Sequence, residues 1–365
     1  MIYLIGNIIL AFALVQLIVA LFNFLFKERL PFVDFSEELP TLSLLIPARD
    51  EEKNIGYLLS DLIKITDSIT EIIVCDDQSA DDTATVVNEF AARDTRIKLI
   101  SGKELPADWY GKNHACYQLA IEANSDYILF LDADVRVGEG VIGKAVKYME
   151  RYRCSMMSIF PTQDMLSIGE KITVPNMQII LLTLLPLPLV RLSGFSSLSA
   201  ANGQFMMFRR DTYAELDPHS KFRKSRAEDI EISRYMKRNH KKVSCLTGVS
   251  GVRCRMYQSV KDAVEGFSKN VTFFFGNSLT AAIIYWLVTT LGFIVFISDG
   301  RTDALWIWLM STLLTRIFVS ITAGMNVLDN LTLFIPQQFM LGRFITRSII
   351  NSRKKSFRWK GRSMV

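Results

Sequence analysis

The stretch SDYILFLDADVRV, residues 125–137, is an apolar run that stops on two carboxylates one residue apart, Asp132 and Asp134. It reads as a buried strand. Side chains two apart on a strand share a face, so strand geometry carried to its end would point both carboxylates the same way. Like charges so close repel and raise each other's pKa unless a cation lies between them. The partner suited to clustered carboxylate oxygens is a hard divalent ion, Mg2+ or Mn2+. A solvated acidic turn is the plainer reading of an isolated D-x-D. The rest of the chain weighs against it.

Upstream, strand patterns alternate with helical ones. TLSLLIP (41–47), EIIVCDD (71–77) and RIKLIS (96–101) read as strands. The stretch 51–66 reads as an amphipathic helix with Ile55, Leu58, Leu59 and Leu62 on one face, and 79–92 and 111–123 as helices too. Such alternation predicts an α/β fold with a mostly parallel sheet and right-handed crossovers. Ligands in these sheets bind beyond the carboxyl ends of the strands. Three strand ends carry polar or acidic groups: Pro47 with Arg49 and Glu51, Asp76 with Asp77, and Asp132 with Asp134. Neither common glycine-rich phosphate loop is present, so a nucleotide here would depend on carboxylates, a metal and nearby cations. Lys112, just inside a predicted helix N-terminus, is one such cation for a diphosphate; the alternative is a solvated first-turn lysine.

The segments IPARDEEKNI (46–55), VCDDQSADDT (74–83), FLDADV (130–135) and AEDIEI (227–232), in this order, resemble family 2 glycosyltransferases with a GT-A fold. The resemblance covers residues 40–270. It implies that Asp77, with Asp76, contacts the uracil or ribose of a UDP-sugar. Pro47, Arg49, Lys112 and Asp132 would complete the donor site, and Asp134 with Asp132 would hold the metal. It further implies that Asp229, in the pair Glu228-Asp229, is the catalytic base of an inverting transfer. Read alone, EDIEISRYMKR (228–238) is acidic at the front and basic at the back, which is also good helix-dipole design.

A second set of segments, WYGKNHACYQLA (109–120), RMYQ (255–258), EGFSKN (265–270) and WKGR (359–362), resembles the bacterial carotenoid-acid glycosyltransferases, the 4,4'-diaponeurosporenoate type. This implies glucose transfer from UDP-glucose to a membrane-dissolved carotenoid acid or related isoprenoid. The Q-x-x-R-W motif of many membrane-bound relatives is not kept; Phe267 stands where its tryptophan is expected. A carboxylate acceptor is ionised at neutral pH and needs no base, whereas an alcohol does. The Glu228-Asp229 pair therefore leaves open a hydroxyl lipid, such as a hopanoid or glycolipid, as acceptor. A non-catalytic sugar-nucleotide-binding membrane protein would keep the nucleotide aspartates without needing the base.

The chain has 365 residues, 50% of them hydrophobic, and a net charge of +5. Met1 to Phe26 and Val271 to Ser298 carry no charge, and Ala304 to Leu328 is apolar except for Arg316. About 20 such residues span a bilayer core. The first segment lacks a basic n-region and a small-residue cleavage site, so it reads as an anchor. The expected organisation is an anchor at 1–26, a catalytic domain at 40–270, a helical hairpin at 271–328 and a basic tail at 329–365. Lys27, Arg29 and the tail's Arg343, Arg347, Arg353, Lys354, Lys355, Arg358, Lys360 and Arg362 place the domain on the cytoplasmic side of a cell membrane. The excess charge suits an anionic lipid surface, and no nucleic-acid motif accompanies it. About three spans are too few for a polysaccharide-secreting channel. The apolar insert NMQIILLTLLPLPLVRL (176–192) reads as a membrane-interface segment beside the site. Five scattered cysteines without C-x-x-C indicate reduced thiols, and three distant histidines make no zinc site.

Overall fold

Alternating strands and helices build one sheet whose strands run, in chain order, β1 (Leu42–Ala48), β2 (Ile69–Asp76), β3 (Ile97–Ser101), β4 (Tyr127–Leu131), β5 (Val135–Val137), β6 (Met156–Gln163), β7 (Phe205–Arg209) and β8 (Val243–Cys254). The computed structural model describes residues 1–32, 39–65, 68–354, 358–359 and 362–363. Lys355 and Lys360, two of the tail cations noted above, lie outside the described residues. The spatial order is β3-β2-β1-β4-β7-β6-β8-β5. From β3 to β4 all neighbours are parallel. β7 then enters antiparallel to both β4 and β6. This is the GT-A architecture, with the antiparallel insertion beside the central strand.

β1 is buried at every position except Pro47, as a strand covered on both faces must be. One face packs on the helices Ile55–Leu62, Thr83–Ala91 and Val141–Tyr152. The other packs on Gly111–Glu122, Pro175–Leu184 and Glu228–Arg238. The helix expected over 51–66 is shorter, Ile55–Leu62, with Ile55, Leu58, Leu59 and Leu62 buried as read. Its front is used as a turn: Asp50 has a left-handed φ of 51°, and the Glu51 amide donates to Thr83 Oγ1 at 2.8 Å.

Among the described residues three helices are long and apolar enough to cross a membrane: Ile2–Leu25, Leu279–Ser298 and Thr302–Ala323. The uncharged run from Val271 is not helical throughout. Val271–Phe275 is a 3-10 turn, and Gly276 and Asn277, with φ of 62° and 63°, end it before the long helix starts. Arg316 faces the protein interior. Its Nη1 donates to the Asn330 carbonyl at 2.9 Å and to Gln337 Oε1 at 2.6 Å, while its guanidinium lies over the Phe334 ring. A mid-helix cation needs this kind of satisfaction away from lipid.

The insert at 176–192 differs from the expectation of an interface segment. Pro175–Leu184 is a helix buried from Pro175 through Thr183. It is wedged between the sheet and the membrane helices, and Asn23 of the N-terminal helix donates to the Leu182 and Leu185 carbonyls at 2.9 Å. Its apolar residues serve a seam between domain and membrane helices. Leu184, at the end of that helix, and Leu192, at the end of the insert, are exposed.

Polar contacts of Glu28 and Lys27, just after the first long helix, fasten it to the domain. Glu28 pairs with Arg191 at 2.5 Å and accepts from Tyr148 Oη at 2.6 Å. Lys27 Nζ donates to the Gly248 carbonyl at 3.1 Å. Gly248 has φ of +62°, and a Cβ there would lie 2.2 Å from the Thr322 carbonyl oxygen. We expect Gly248→Ala to force this junction apart. Backbone strain of this kind costs on the order of 1–3 kcal/mol, so the melting temperature of the detergent-solubilised protein should fall. An unchanged melting curve would contradict the tight approach.

Candidate active site

The carboxyl ends of β1, β2 and β4 meet in one cleft, as the parallel arrangement requires. A cavity of about 500 Å³ is lined by Pro47, Arg49, Glu51, Lys112, Asp132, Asp134 and Lys269, among others. A second, of about 250 Å³, continues from Lys112 and Asp132 to Glu228 and Asp229. Residues scattered over more than 200 positions of sequence thus share one space.

The strand does not carry the two aspartates as a pleat would. β4 stops at Leu131, and the Val135 amide donates to the Asp132 carbonyl at 3.1 Å, closing a turn. Asp132 and Asp134 still line one cavity. They differ in their partners. Lys112 Nζ lies 2.7 Å from Asp132 and 3.9 Å from Glu228. Burial alone would lower the Lys112 pKa; Asp132 and Glu228 outweigh it and hold the ammonium charged. Among the described residues no such cation contacts Asp134. Burial, then the charges of Asp132 and Glu51, push its carboxyl up to about 7.

Asp77 lines neither cavity; it lies behind Arg49 and Arg362, which do and which both bond to it. It is 1% exposed, and its Oδ2 accepts from Arg362 while Oδ1 has no hydrogen-bond partner. Burial raises its pKa against the opposing pull of Arg362, Arg49 and His114. Asp76 is used locally: its Oδ1 accepts from the Ser79 amide at 3.1 Å. Arg49 donates to the carbonyls of Asp77 and Gln78, which shapes the turn after β2.

Asp229 stands at the start of the helix Glu228–Arg238. Gly203 N–H donates to its Oδ2 at 3.1 Å and Ile230 N–H to its Oδ1 at 2.8 Å. Burial raises its pKa, and these two amides and Lys112 oppose the rise. The carboxylate keeps an edge on two cavities. One is the polar cavity containing Lys112. The other, of about 120 Å³, is walled by Phe160, Met177, Tyr257, Phe267 and Phe274. A further cavity of about 140 Å³ shares Phe160, Ala201, Ile230 and Phe274 with it and reaches Leu184 and Leu185. Phe267 packs against Tyr257 and Phe344, at 5.0 and 5.3 Å between ring centroids. It is a wall of the apolar pocket. Trp109, just before the helix Gly111–Glu122, packs on His114 and Tyr117 of that helix.

Several cleft residues were not singled out from sequence. Glu51, Gln204, Lys269 and Arg362 all line it. Glu51 sat in a quoted segment without a role, and Lys269 and Arg362 sat in EGFSKN and WKGR. Gln204 carried no signal at all.

Residues 43–217 match the family model described as glycosyl transferase family 2. The chain is accordingly a glycosyltransferase enzyme with a GT-A catalytic domain. Among its relatives is the 4,4'-diaponeurosporenoate glycosyltransferase of Staphylococcus aureus strain MRSA252, 26% identical over 344 residues that cover 88% of this chain and 87% of that one. The same protein from strain USA300 matches to the same extent. Among solved structures, a Pyrobaculum calidifontis mannosyltransferase in complex with GDP-Man and Mn2+ aligns over 96% of this chain and 99% of its own, with a TM-score of 0.55 and 13% identity. That likeness is one of fold.

Proposed function

We propose that this enzyme moves a sugar, glucose, from a UDP-sugar to a membrane-embedded isoprenoid acid of the carotenoid type, with inversion, on the cytoplasmic face of a cell membrane. One observation carries the proposal: Asp229 lies where a polar, carboxylate-rich cleft meets an apolar pocket that runs toward the membrane helices. A sugar nucleotide and a lipid need such a junction. The 4,4'-diaponeurosporenoate relatives supply the acceptor class and, with it, the expected donor.

In this reading Asp77, with its unpartnered buried oxygen, accepts a base or ribose donor group. Asp76 holds the turn that presents it. Pro47 and Arg49 form the wall beside the nucleotide. Asp134 and Asp132 fit a divalent ion: both are hard oxygen donors, and their mutual repulsion is relieved by a cation. Among the described residues no group of three or more His, Cys, Asp or Glu side chains forms a fuller cage. Held by Asp134 and Asp132, such an ion would supply Lewis-acid stabilisation to a diphosphate leaving group. Lys112, held by Asp132 and Glu228, adds a fixed positive charge to the same oxygens. Asp229 faces the acceptor oxygen as it attacks the anomeric carbon opposite the leaving group. Glu228 positions Lys112.

A second reading, a hydroxyl lipid acceptor, is favoured by Asp229 itself. A carboxylate with a raised pKa at the junction is suited to take an alcohol's proton. The test is transfer of labelled glucose from UDP-glucose, in proteoliposomes, to a C30 carotenoid acid and to a lipid alcohol. Label on the acid bears the proposal out. Label on the alcohol alone moves it to the second reading, and label on neither overturns both.

Orientation has its own check. All five cysteines are buried, so a single reporter thiol stands out. Gly140→Cys, in the loop after β5, should react with a membrane-impermeant maleimide only in inside-out vesicles. Labelling of intact cells would reverse the topology.

A further inference from the structure

After the last helix, Phe334–Lys354, the chain returns to the sheet at Asp77. Arg358–Trp359 and Arg362–Ser363 pair antiparallel as a short hairpin. From it Arg362 reaches into the cleft. Nη1 donates to Asp77 Oδ2 at 2.5 Å and Nη2 to Gln78 Oε1 at 2.8 Å, across 285 and 284 positions of sequence. The arginine is mostly enclosed, at 17% side-chain exposure against 1% for Asp77.

This contact does nothing for the sheet, which is complete without it. It does change the cleft. Arg362 lines the same cavity as Lys112, Asp132, Gly203 and Asp229, so it adds a cation to a lining that already carries Lys112, Arg226 and Lys269. The guanidinium is a wall of that cavity and leaves about 250 Å³ open. It also leaves Asp77 Oδ1 unpartnered. A buried carboxylate oxygen without a donor is costly, and a ligand N–H or O–H would satisfy it. A planar guanidinium fork can brace a carboxylate and still offer N–H groups to anionic oxygens.

We propose that Arg362 is a donor-binding residue: the C-terminal hairpin straps over the nucleotide end of the cleft, holds the Asp77 carboxylate in register, and turns positive charge toward the nucleoside diphosphate. The proposal rests on the sugar-nucleotide reading above. It makes the donor site a composite of the sheet and a segment that arrives only after the membrane helices, so donor binding and correct seating of those helices are linked.

The test uses the full chain in detergent with Mn2+, titrated with UDP and with GDP. Arg362→Ala should weaken binding of the preferred nucleotide about ten- to a hundredfold, the range for charge-assisted hydrogen bonds. Arg362→Lys, which keeps the charge but not the fork, should recover part of the loss. In turnover the donor KM should rise while the acceptor KM stays the same. Binding by Arg362→Ala equal to wild type would overturn the proposal. Tighter binding would also overturn it, because the tail would then be a plug. A wild-type protein that binds neither nucleotide would instead defeat the sugar-nucleotide reading on which the proposal stands.

Discussion

Asp134→Ala should abolish sugar transfer while the protein still folds and inserts. The carboxylate lies in the cleft with Asp132 beside it and, among the described residues, no cation in contact, since Lys112 is taken by Asp132 and Glu228. Removing it leaves a single aspartate, already neutralised by Lys112, to hold a divalent ion. Metal and leaving-group stabilisation then fail together. Wild-type activity should vanish with EDTA and return with Mn2+ or Mg2+; activity that survives EDTA would sink the metal assignment. The acid–base behaviour gives an independent readout. The Asp134 carboxyl is raised from 3.8 to about 7 in the ion-free protein, first by burial and then by its charged neighbours. The folded state therefore holds its proton more tightly than the unfolded chain. Stability from this group is present below about pH 4 and is lost as the pH climbs toward 7. Divalent ion should erase that loss, and its affinity should fall as the pH drops below 7, because the ligand must ionise to bind. Urea midpoints between pH 5 and 8, with and without Mn2+, measure this directly. A midpoint that rises with pH in the ion-free protein would contradict the assignment.

Asp229→Asn separates the two acceptor classes. The change keeps the shape and removes the base. With an alcohol acceptor the loss should be about 100-fold to 10,000-fold, the usual worth of general-base catalysis. With a carotenoid acid the nucleophile is already ionised, and the variant should keep much of its turnover. Asp229 accepts from Gly203 and Ile230 amides, so the asparagine has one carbonyl oxygen to satisfy them and some loss of affinity for either acceptor is expected. Donor binding should not change. If UDP affinity collapses with Asp229→Asn, the residue holds the donor or the fold and is not the base.

Much of this architecture is visible in one dimension because its causes are local. Strands covered on both faces must be apolar throughout, so β1, β2 and β4 stand out as runs; amphipathic spacing marks Ile55, Leu58, Leu59 and Leu62 as one buried face. The parallel alternation then forces the carboxyl ends of these strands to one edge, which is why Arg49, Asp77, Asp132 and Asp134 could be grouped before any coordinates. The membrane helices are equally legible, since about 20 uncharged residues have few other uses in water.

Other features depend on contacts between distant segments, and no local pattern encodes them. Whether Lys112 was a solvated first-turn lysine or a cleft cation was undecided by its helix; Asp132 and Glu228, 20 and 116 positions away, decide it. The apolar insert at 176–192 has the composition of a membrane-facing segment and of a buried seam alike, and only packing against the helix Ile2–Leu25 distinguishes them. Arg316 looked like a misfit until Asn330 and Gln337 folded back onto it. Arg362 belonged to a short motif with no visible task until the chain's return placed it on Asp77. The sequence by itself determined the covered strands, the spans and the edge where chemistry could gather. Tertiary structure decided which charges meet, because pairing across some 280 residues is set by the path of the whole chain and leaves no periodicity to read.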